Sequence, residues 1–456
     1  MIERLVIFGG SGDLTGRYLL PGLAALLSRG HLPERFELVA ASREAWDDEQ
    51  FRAWAAGWLG EANAVDAAAE TTLLRSSRYE RLDLGDPASV AACIAGERPV
   101  AVYLALPPSV FAGAVSALHR AGLPPDSQVV FEKPFGEDLD SAEALNRLIA
   151  ELVDERHVFR VDHFLAMTTV QNVLGTRLVN RVLEPIWNSA HIDEIEIVWE
   201  ESLALEGRAG YYDGVGALKD MVQNHLFQLL CLVAMEPPIT LGEGDLRDRK
   251  VDVLRSVRPF ADRDVAARTR RARYRAGRVG ERDIPAYVEE DGVSPEHATE
   301  TFAEVTLELE SWRWSGTRFR LRTGKAMRRD RKEVIVHFRP VPHVPFEGSH
   351  EAIPNRLRFG LEPEGVTLEL TGTGPSVASS LVPLTLSARM EPPELPAYGR
   401  ILLDVLRGNS ALSIRSDEAE ESWRVLTPVM DAWSRGVPPL EEYDAGSDGP
   451  ARATMR

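Results

Sequence analysis

Residues Leu5 to Leu14, LVIFGGSGDL, indicate the class of fold, because an apolar run passes directly into a glycine-rich turn. The turn consists of Gly9, Gly10, Ser11, Gly12, Asp13 and Leu14, and apolar residues then recur at helical spacing at Tyr18, Leu19, Leu23 and Leu26. A strand, a glycine turn and a helix in this order predict a dinucleotide site. Glycines let the backbone approach a pyrophosphate, and the helix N-terminus supplies free amides. Thr15 stands where a third glycine completes the usual motif, so the order of elements carries this prediction more than the glycines do.

The end of the next apolar run indicates which dinucleotide is bound. That run ends Ala40, Ala41, Ser42, Arg43, at a place where an NAD-specific site normally has an acidic residue that binds the ribose hydroxyls. The planar guanidinium of Arg43 suits a 2′-phosphate, which it can hold through two parallel hydrogen bonds. The sequence therefore predicts a preference for NADP, while Glu44 beside Arg43 leaves NAD use open.

Further apolar runs alternate with helical stretches as far as about residue 165. These runs are Leu38 to Ala41, Ala101 to Leu106 and Val129 to Glu132. Strands that alternate with helices form a parallel sheet with helices on both faces. Residues 1–165 are therefore expected to form a Rossmann-type, doubly wound NADP-binding domain of the α/β class.

From about residue 195 the pattern changes to strands in which apolar and polar residues alternate. Residues 305–310 place Val, Leu and Leu on one face and Thr, Glu and Glu on the other, which is typical of an antiparallel sheet. Leu218 to Met235 is a predicted helix with an apolar stripe. We expect residues 166–456 to form a second, α+β domain with a large, mainly antiparallel sheet.

Composition and charge narrow the class of protein. The 456 residues include only two cysteines, which fits a reducing cytoplasm, and no apolar run approaches the roughly 20 residues of a membrane span. The first residues lack the features of an export signal. The formal net charge of −18 argues against nonspecific binding to nucleic acid or to an anionic membrane. We expect a cytoplasmic protein with a small-molecule substrate.

Nine segments together resemble the glucose-6-phosphate 1-dehydrogenase family in order and spacing, over nearly the whole chain. They are Gly9–Leu14, Tyr103–Pro108 (YLALPP), Glu132–Gly136 (EKPFG), Arg160–Asn172 (RVDHFLAMTTVQN), Glu206–Tyr211 (EGRAGY), Asp220–Glu236 (DMVQNHLFQLLCLVAME), Arg322–Lys325 (RTGK), Tyr398–Gly408 (YGRILLDVLRG) and Arg415–Pro428. The resemblance implies oxidation of carbon 1 of glucose 6-phosphate with transfer of hydride to NADP, the first step of the oxidative pentose phosphate pathway. It also implies a homodimer formed through the antiparallel sheet and calls for no metal.

The resemblance places the family's catalytic pair on Asp162 and His225. Oxidising an anomeric hydroxyl requires a base for the hydroxyl proton, and a neutral imidazole can act as one near pH 7. His225 would be that base, and Asp162 would fix its tautomer and stabilise the imidazolium. The substrate contacts implied by position are Lys133, His163, Glu201, Asp220 and Lys325. Lys133 is also expected at the cofactor.

One segment departs from the family and leaves the substrate open. After the Asp-His pair the family continues Tyr-Leu-Gly-Lys, and the Tyr and Lys help the His to hold the substrate phosphate, whereas here Phe164 and Met167 take those places. Loss of the lysine alone could weaken phosphate recognition roughly 10- to 150-fold. Either arginines from the Lys325 to Arg331 segment replace it, or the enzyme oxidises unphosphorylated glucose or another sugar. An inactive homologue that senses nucleotide or sugar is the alternative from another class.

Overall fold

A computed structural model describes residues 1–61, 66–346, 354–374 and 381–451 of the chain, and it divides them into two units. The first unit consists of Met1–Thr168, Pro238–Asp248 and Pro392–Glu420. The second consists of Thr169–Pro237, Arg249–Glu391 and Glu421–Arg456. Two segments from late in the chain thus join the first unit, and the division at residues 165 and 166 remains a sequence prediction.

The first unit contains a parallel sheet of six strands. They are β1 (Arg4–Phe8), β2 (Glu37–Ser42), β3 (Ser77–Arg81), β4 (Ala101–Leu104), β5 (Gln128–Glu132) and β6 (Val158–Val161). Their order, β3-β2-β1-β4-β5-β6, reverses direction between β1 and β4, as in a doubly wound sheet. The central strands β1 and β4 are almost completely buried, which explains their continuous apolar runs. The predicted Rossmann-type fold is confirmed.

The α-helices and two π-helical segments connect the strands and complete both units. In chain order the α-helices are α1 (Leu20–Ser28), α2 (Asp48–Glu61), α3 (Ala67–Arg75), α4 (Pro87–Ile94), α5 (Phe111–Ala121), α6 (Leu139–Leu152), α7 (Thr168–Leu178), α8 (Ala209–Tyr212), α9 (Phe227–Ala234), α10 (Glu243–Arg255), α11 (Asp262–Arg268), α12 (Ala397–Arg407) and α13 (Ser416–Ser434). The π-helical segments, Thr15–Leu19 and Leu218–Leu226, run directly into α1 and α9. Short 3-10 turns include His163–Ala166 after β6.

The second unit contains a mixed sheet of nine strands. In chain order they are β7 (Ile192–Glu200), β8 (Thr269–Arg275), β11 (Phe302–Glu308), β12 (Arg318–Gly324), β13 (Arg331–Phe338), β14 (Arg356–Glu362), β15 (Glu364–Thr373), β16 (Leu381–Arg389) and β17 (Glu441–Asp444), and β9 (Gly277–Val279) pairs with β10 (Arg282–Ile284) separately. The nine are arranged β16-β15-β14-β13-β7-β12-β11-β8-β17. Most neighbours are antiparallel, as predicted, and β11 alternates between buried and half-buried residues. The pairs β7–β12 and β8–β17 are parallel.

The long helix predicted from Leu218 to Met235 differs from a regular amphipathic helix in two respects. Its first half is π-helical, and its residues from Met221 onward are buried on all sides. Because this part of the helix is buried on all sides, the apolar stripe does not indicate which residues are enclosed. Gln223, Asn224 and His225 are enclosed as fully as their apolar neighbours. Among the described residues, no helix is both long and apolar enough to span a membrane.

Candidate active site

The glycine turn lies where the strand order of the parallel sheet reverses. Gly9 has a φ of +88°, and a Cβ on it would lie 2.1 Å from the carbonyl oxygen of Ala105, just beyond β4. A Cβ on Gly10 would lie 2.7 Å from the Ala40 Cβ. Thr15, at the third glycine position, is fully buried and donates through Oγ1 to the Gly9 carbonyl at 2.9 Å. Gly9 and Gly10 have no room for side chains, so the backbone of the turn fits the approach of a pyrophosphate.

The end of β2 contributes both a hydroxyl and charges beside this turn. The backbone N–H of Ser11 donates to Ser42 Oγ at 3.0 Å, and Ser11 Oγ donates to Glu44 Oε2 at 2.8 Å. The hydrogen bond from Ser11 holds the pKa of Glu44 below its usual value. Arg43, which lies between Ser42 and Glu44 in the chain, is exposed. This end of β2 therefore places the exposed guanidinium of Arg43 next to the turn. The neighbouring carboxylate of Glu44 already accepts a hydrogen bond from Ser11 of that turn.

The last two strands of the parallel sheet end in polar residues that the sequence singled out. Lys133 follows β5, and Asp162 and His163 follow β6. Asp162 is 3% exposed, and its Oδ1 accepts a hydrogen bond of 2.9 Å from the N–H of Phe164, which starts the 3-10 turn. The carboxyl ends of parallel strands share one edge of the sheet, so these residues and the glycine turn lie at the edge where such sheets bind ligands.

Two residues of the second unit are paired because of strand register. In the parallel pair β7–β12, Glu200 lies opposite Gly324, so Glu201 and Lys325 follow at the same end. Lys325 Nζ lies 2.9 Å from Glu201 Oε2. Burial alone would raise the pKa of Glu201, but the charge and hydrogen bond of Lys325 hold it below its usual value. The positive charge of Lys325 is thus balanced by the carboxylate of Glu201.

A cavity of about 160 Å³ in the second unit brings three of the predicted substrate residues together. Glu201, Asp220 and Lys325 line it, together with Tyr211 and Tyr212. Tyr211 donates to Asp220 Oδ1 at 3.2 Å, and Lys325 Nζ lies 5.2 Å from the centre of the Tyr212 ring. Carboxylates, an ammonium and phenols around one small cavity can exchange hydrogen bonds with several hydroxyls of a sugar.

His225 lies in the π-helical segment Leu218–Leu226 and is 1% exposed. In a π-helix the backbone hydrogen bonds join residues five apart, the spacing of Asp220 and His225, and such segments are frequent at functional sites. Two neighbouring amides fix this segment within the unit: Gln223 Nε2 donates to Ser422 Oγ at 2.8 Å, and Asn224 Nδ2 donates to the Lys219 carbonyl at 3.0 Å. Asp162 belongs to the first unit and His225 to the second, and their pairing remains a prediction.

The arginines offered as replacements for the missing lysine lie in a different cavity from Lys325. Arg328, Arg329 and Arg331 line a cavity of about 380 Å³ with Arg322 and residues 447–451, which shares no residue with the cavity that Lys325 lines. Arg331 also pairs with Glu196 and Glu333. Asp330, between Arg329 and Arg331 in the chain, accepts hydrogen bonds from the N–H and Oγ of Ser202 at 2.6 and 2.8 Å. Within the second unit this arrangement does not favour the replacement.

Sequence analysis missed one group beside the predicted residues of the first unit. Tyr103 donates to Glu132 Oε1 at 2.5 Å, and the hydroxyl of Tyr398 also hydrogen-bonds the Glu132 side chain. Burial raises the pKa of Glu132 to about 7, against the opposing effects of both phenols and Lys133. All three residues lie within the motifs YLALPP, EKPFG and YGRILLDVLRG. That location was the only available signal, because nothing local indicates that these motifs meet.

Comparison with known families gives matches over both parts of the chain. The model described as "Glucose-6-phosphate dehydrogenase, NAD binding domain" matches residues 6–172, and the model of the C-terminal domain of the same family matches residues 174–455. A glucose-6-phosphate 1-dehydrogenase of Zymomonas mobilis is 36% identical over 471 residues, covering 99% of this chain and 96% of the relative. One of Mycolicibacterium smegmatis is 38% identical, covering 98% and 94% respectively.

Solved structures give the same result in three dimensions. A glucose-6-phosphate dehydrogenase in complex with its substrate glucose 6-phosphate superimposes with a TM-score of 0.90 at 28% identity, covering 99% of this chain and 96% of that one. The glucose-6-phosphate 1-dehydrogenase of Mycobacterium avium superimposes with a TM-score of 0.87 at 32% identity, covering 98% and 95%.

Proposed function

Because this chain belongs to the glucose-6-phosphate dehydrogenase family, we propose that it oxidises carbon 1 of glucose 6-phosphate, with NADP as hydride acceptor. The product is 6-phosphogluconolactone, and the reaction is the first step of the oxidative pentose phosphate pathway. The observation that carries this proposal is the length of the match: relatives named for this activity match 98–99% of the chain. The match therefore includes both the part that is expected to bind the dinucleotide and the part that is expected to bind the substrate.

His225 is the proposed general base. Its imidazole takes the proton of the anomeric hydroxyl as hydride leaves the same carbon, and NADP, when bound, accepts that hydride. Asp162 is proposed to accept a hydrogen bond from the other ring nitrogen, which selects the reactive tautomer and stabilises the imidazolium. The enclosed position of His225 supports this role, because a buried imidazole keeps its proton transfer apart from bulk water.

The remaining site residues bind and orient the sugar. Glu201 and Asp220 accept hydrogen bonds from sugar hydroxyls, and Lys325, which lines the same cavity beside Glu201, donates to the same ligand. Lys133, at the end of β5, is proposed to contact both sugar and cofactor, and His163, at the end of β6, to contact the phosphate. Gly9–Leu14 and Arg43 are proposed to hold the pyrophosphate and the 2′-phosphate of NADP.

Wild-type activity and two variants test the assignment. We expect NADP reduction with glucose 6-phosphate, and a decrease in kcat of about 10²- to 10⁴-fold for His225→Ala, with a small change in KM. Asp162→Asn should lower kcat in the same direction. Absence of turnover on every sugar tested, with NADP still bound, would support a nucleotide-sensing homologue instead.

The departure at Phe164 and Met167 is tested by substrate comparison. The relatives favour the phosphorylated sugar, so kcat/KM for glucose 6-phosphate should exceed that for glucose. A preference for glucose would overturn the proposed substrate while leaving the chemistry intact. Met167→Lys, which restores the family residue, should lower the KM for glucose 6-phosphate and leave that for glucose unchanged.

We further propose that the enzyme is a cytoplasmic homodimer joined through the nine-stranded sheet. The outer strands β15 and β16 support this surface, since Leu384 and Leu386 are 47% and 53% exposed on β16. Their cross-strand partners are Leu370 and Leu368. Four leucines on one face form the kind of apolar patch that marks a contact surface.

A further inference from the structure

Four aromatic rings of the first unit are in contact in series near the carboxyl end of β6. Tyr18 stacks on Tyr398 at a centroid distance of 5.1 Å and an angle of 29°. Tyr398 stacks on His163 at 5.8 Å and 18°, and His163 meets Phe164 edge to face at 5.0 Å and 78°. The plane of the His163 imidazole is therefore set by Tyr398 on its face and by Phe164 at its edge.

Tyr398 is itself held from two directions. Helices α1 and α12 pack closely, because a Cβ on Gly22 would lie 2.9 Å from the backbone nitrogen of Gly399. This close approach brings Tyr398 against Tyr18. At the other end of its ring, the Tyr398 hydroxyl hydrogen-bonds Glu132, whose carboxyl also accepts from the buried Tyr103 at 2.5 Å. Both the ring and the hydroxyl of Tyr398 are thus fixed by residues outside the proposed substrate contacts.

We propose that Tyr398, anchored by Glu132, is a positioning residue that holds the His163 imidazole in the orientation needed to bind the phosphate of the substrate. This inference rests on the proposed function. With Phe164 and Met167 in place of the family's Tyr and Lys, His163 is the remaining member of that phosphate-binding trio. The orientation of the His163 imidazole therefore bears directly on recognition of the phosphate.

Substitutions at Tyr398 separate the ring from the hydroxyl. Tyr398→Leu removes the stacked ring, and Tyr398→Phe keeps the ring but loses the bond to Glu132. We expect Tyr398→Leu to raise the dissociation constant for glucose 6-phosphate, measured by calorimetry, and its KM by about 2- to 10-fold, the range of a lost aromatic pair. Tyr398→Phe should recover part of this loss, and kcat should change little in either variant.

A double-mutant cycle decides whether Tyr398 acts through His163. In a His163→Ala background, Tyr398→Leu should have no additional effect on glucose 6-phosphate binding, because the ring it positions is gone. Additive effects of the two substitutions would overturn the proposal. Equal losses of kcat/KM for glucose 6-phosphate and for glucose would overturn it as well, because a general structural defect has no preference for the phosphate.

Phe111→Leu is the matched control. It breaks another aromatic pair of the same unit, in which Phe111 meets Phe131 at 5.7 Å and 84°, and Phe111 is 1% exposed. We expect it to lower the unfolding midpoint without changing the ratio of kcat/KM between glucose 6-phosphate and glucose. Failure of the wild-type enzyme to reduce NADP with glucose 6-phosphate would contradict the proposed function itself, an outcome separate from the cycle.

Discussion

Glu201 and Lys325 balance each other's charge, although they lie on different segments of the chain. Lys325 was expected as a positive charge for the ligand, yet Glu201 already balances it at 2.9 Å. These residues are 124 positions apart, and only the parallel register of β7 and β12 brings them together. Asp330 is a similar case, because Ser202, which donates hydrogen bonds to it, lies 128 residues away in the chain. Distances of this kind are properties of the fold and not of the local sequence.

A buried carboxyl beside the π-helical segment Leu218–Leu226 predicts a dependence of stability on pH. Glu300 is 8% exposed and accepts a hydrogen bond of 2.9 Å from the N–H of Leu218, and burial raises its pKa from 4.5 to about 7. Because the folded state holds this proton more tightly than the unfolded state, the contribution of Glu300 to stability is greatest below pH 4.5. It is lost as the pH rises through 7. The shift is equivalent to about 3 kcal/mol.

Glu300→Gln tests that dependence, because the amide keeps an acceptor for Leu218 but cannot ionise. The difference in unfolding free energy between variant and wild type, measured in urea, should shift in favour of the variant between pH 5 and pH 8. Glu296→Gln, at an exposed carboxylate of the same unit, is the control and should give a flat difference. A flat difference for Glu300→Gln as well would show that the carboxyl titrates normally.

Arg43 predicts the choice of cofactor. Arg43→Ala should lower kcat/KM for NADP by at least about 10- to 150-fold, the value of one hydrogen bond to a charged phosphate. The value for NAD should change little, because NAD lacks that phosphate. Arg35→Ala removes an exposed arginine just before the opposite end of β2 and should leave both values unchanged. Equal losses with the two cofactors would contradict a role for Arg43 in selecting NADP.

At the scale of elements, periodicity identified the strands but not the register between distant ones. The alternation in residues 305–310 predicted a strand of an antiparallel sheet, and β11 does pair antiparallel with β12. The parallel pairing of β12 with β7 joins segments more than a hundred residues apart, so no local signal announces it. The π-helical geometry of Leu218–Leu226 was also missed, because a helix buried on all sides gives the same apolar pattern at either pitch.

The first strand-turn-helix element gives a test of the cofactor site. Gly9→Ala places a Cβ 2.1 Å from the Ala105 carbonyl and forces alanine to a φ of +88°. The turn must move away from β4, so NADP binding, followed by fluorescence, should weaken by at least an order of magnitude. Gly113→Ala in α5 is the matched control, since nothing lies within 4 Å of the added Cβ. Unchanged NADP affinity in Gly9→Ala would remove the turn from the cofactor site.

In the whole molecule, the net charge is −18, and many of the arginines are paired with carboxylates within the fold. On the nine-stranded sheet, register places Arg318 opposite Glu194 and Arg320 opposite Glu196, and both pairs form salt bridges. Such charges can be counted in the sequence, but the sequence does not show which arginines are paired within the fold and which remain available to a ligand. A general attraction for anions is therefore not expected of this chain, and the proposed substrate contacts, such as Lys325 and His163, would carry the recognition of the substrate.

The exposed leucines of β15 and β16 predict the assembly of the molecule. Leu384 and Leu386 lie on one face of β16 opposite Leu370 and Leu368, and water contact with this patch is unfavourable by roughly 25 cal/mol per Å² of apolar area. If a second copy covers the patch, Leu384→Arg together with Leu386→Arg should place uncompensated charges in the interface. Light scattering should then report a monomer where the wild type is a dimer. NADP affinity should persist, because the glycine turn belongs to the first unit. Leu241→Arg, at a leucine that is 59% exposed elsewhere, should leave the dimer intact. A dimer that survives both substitutions on β16 would require a different contact surface.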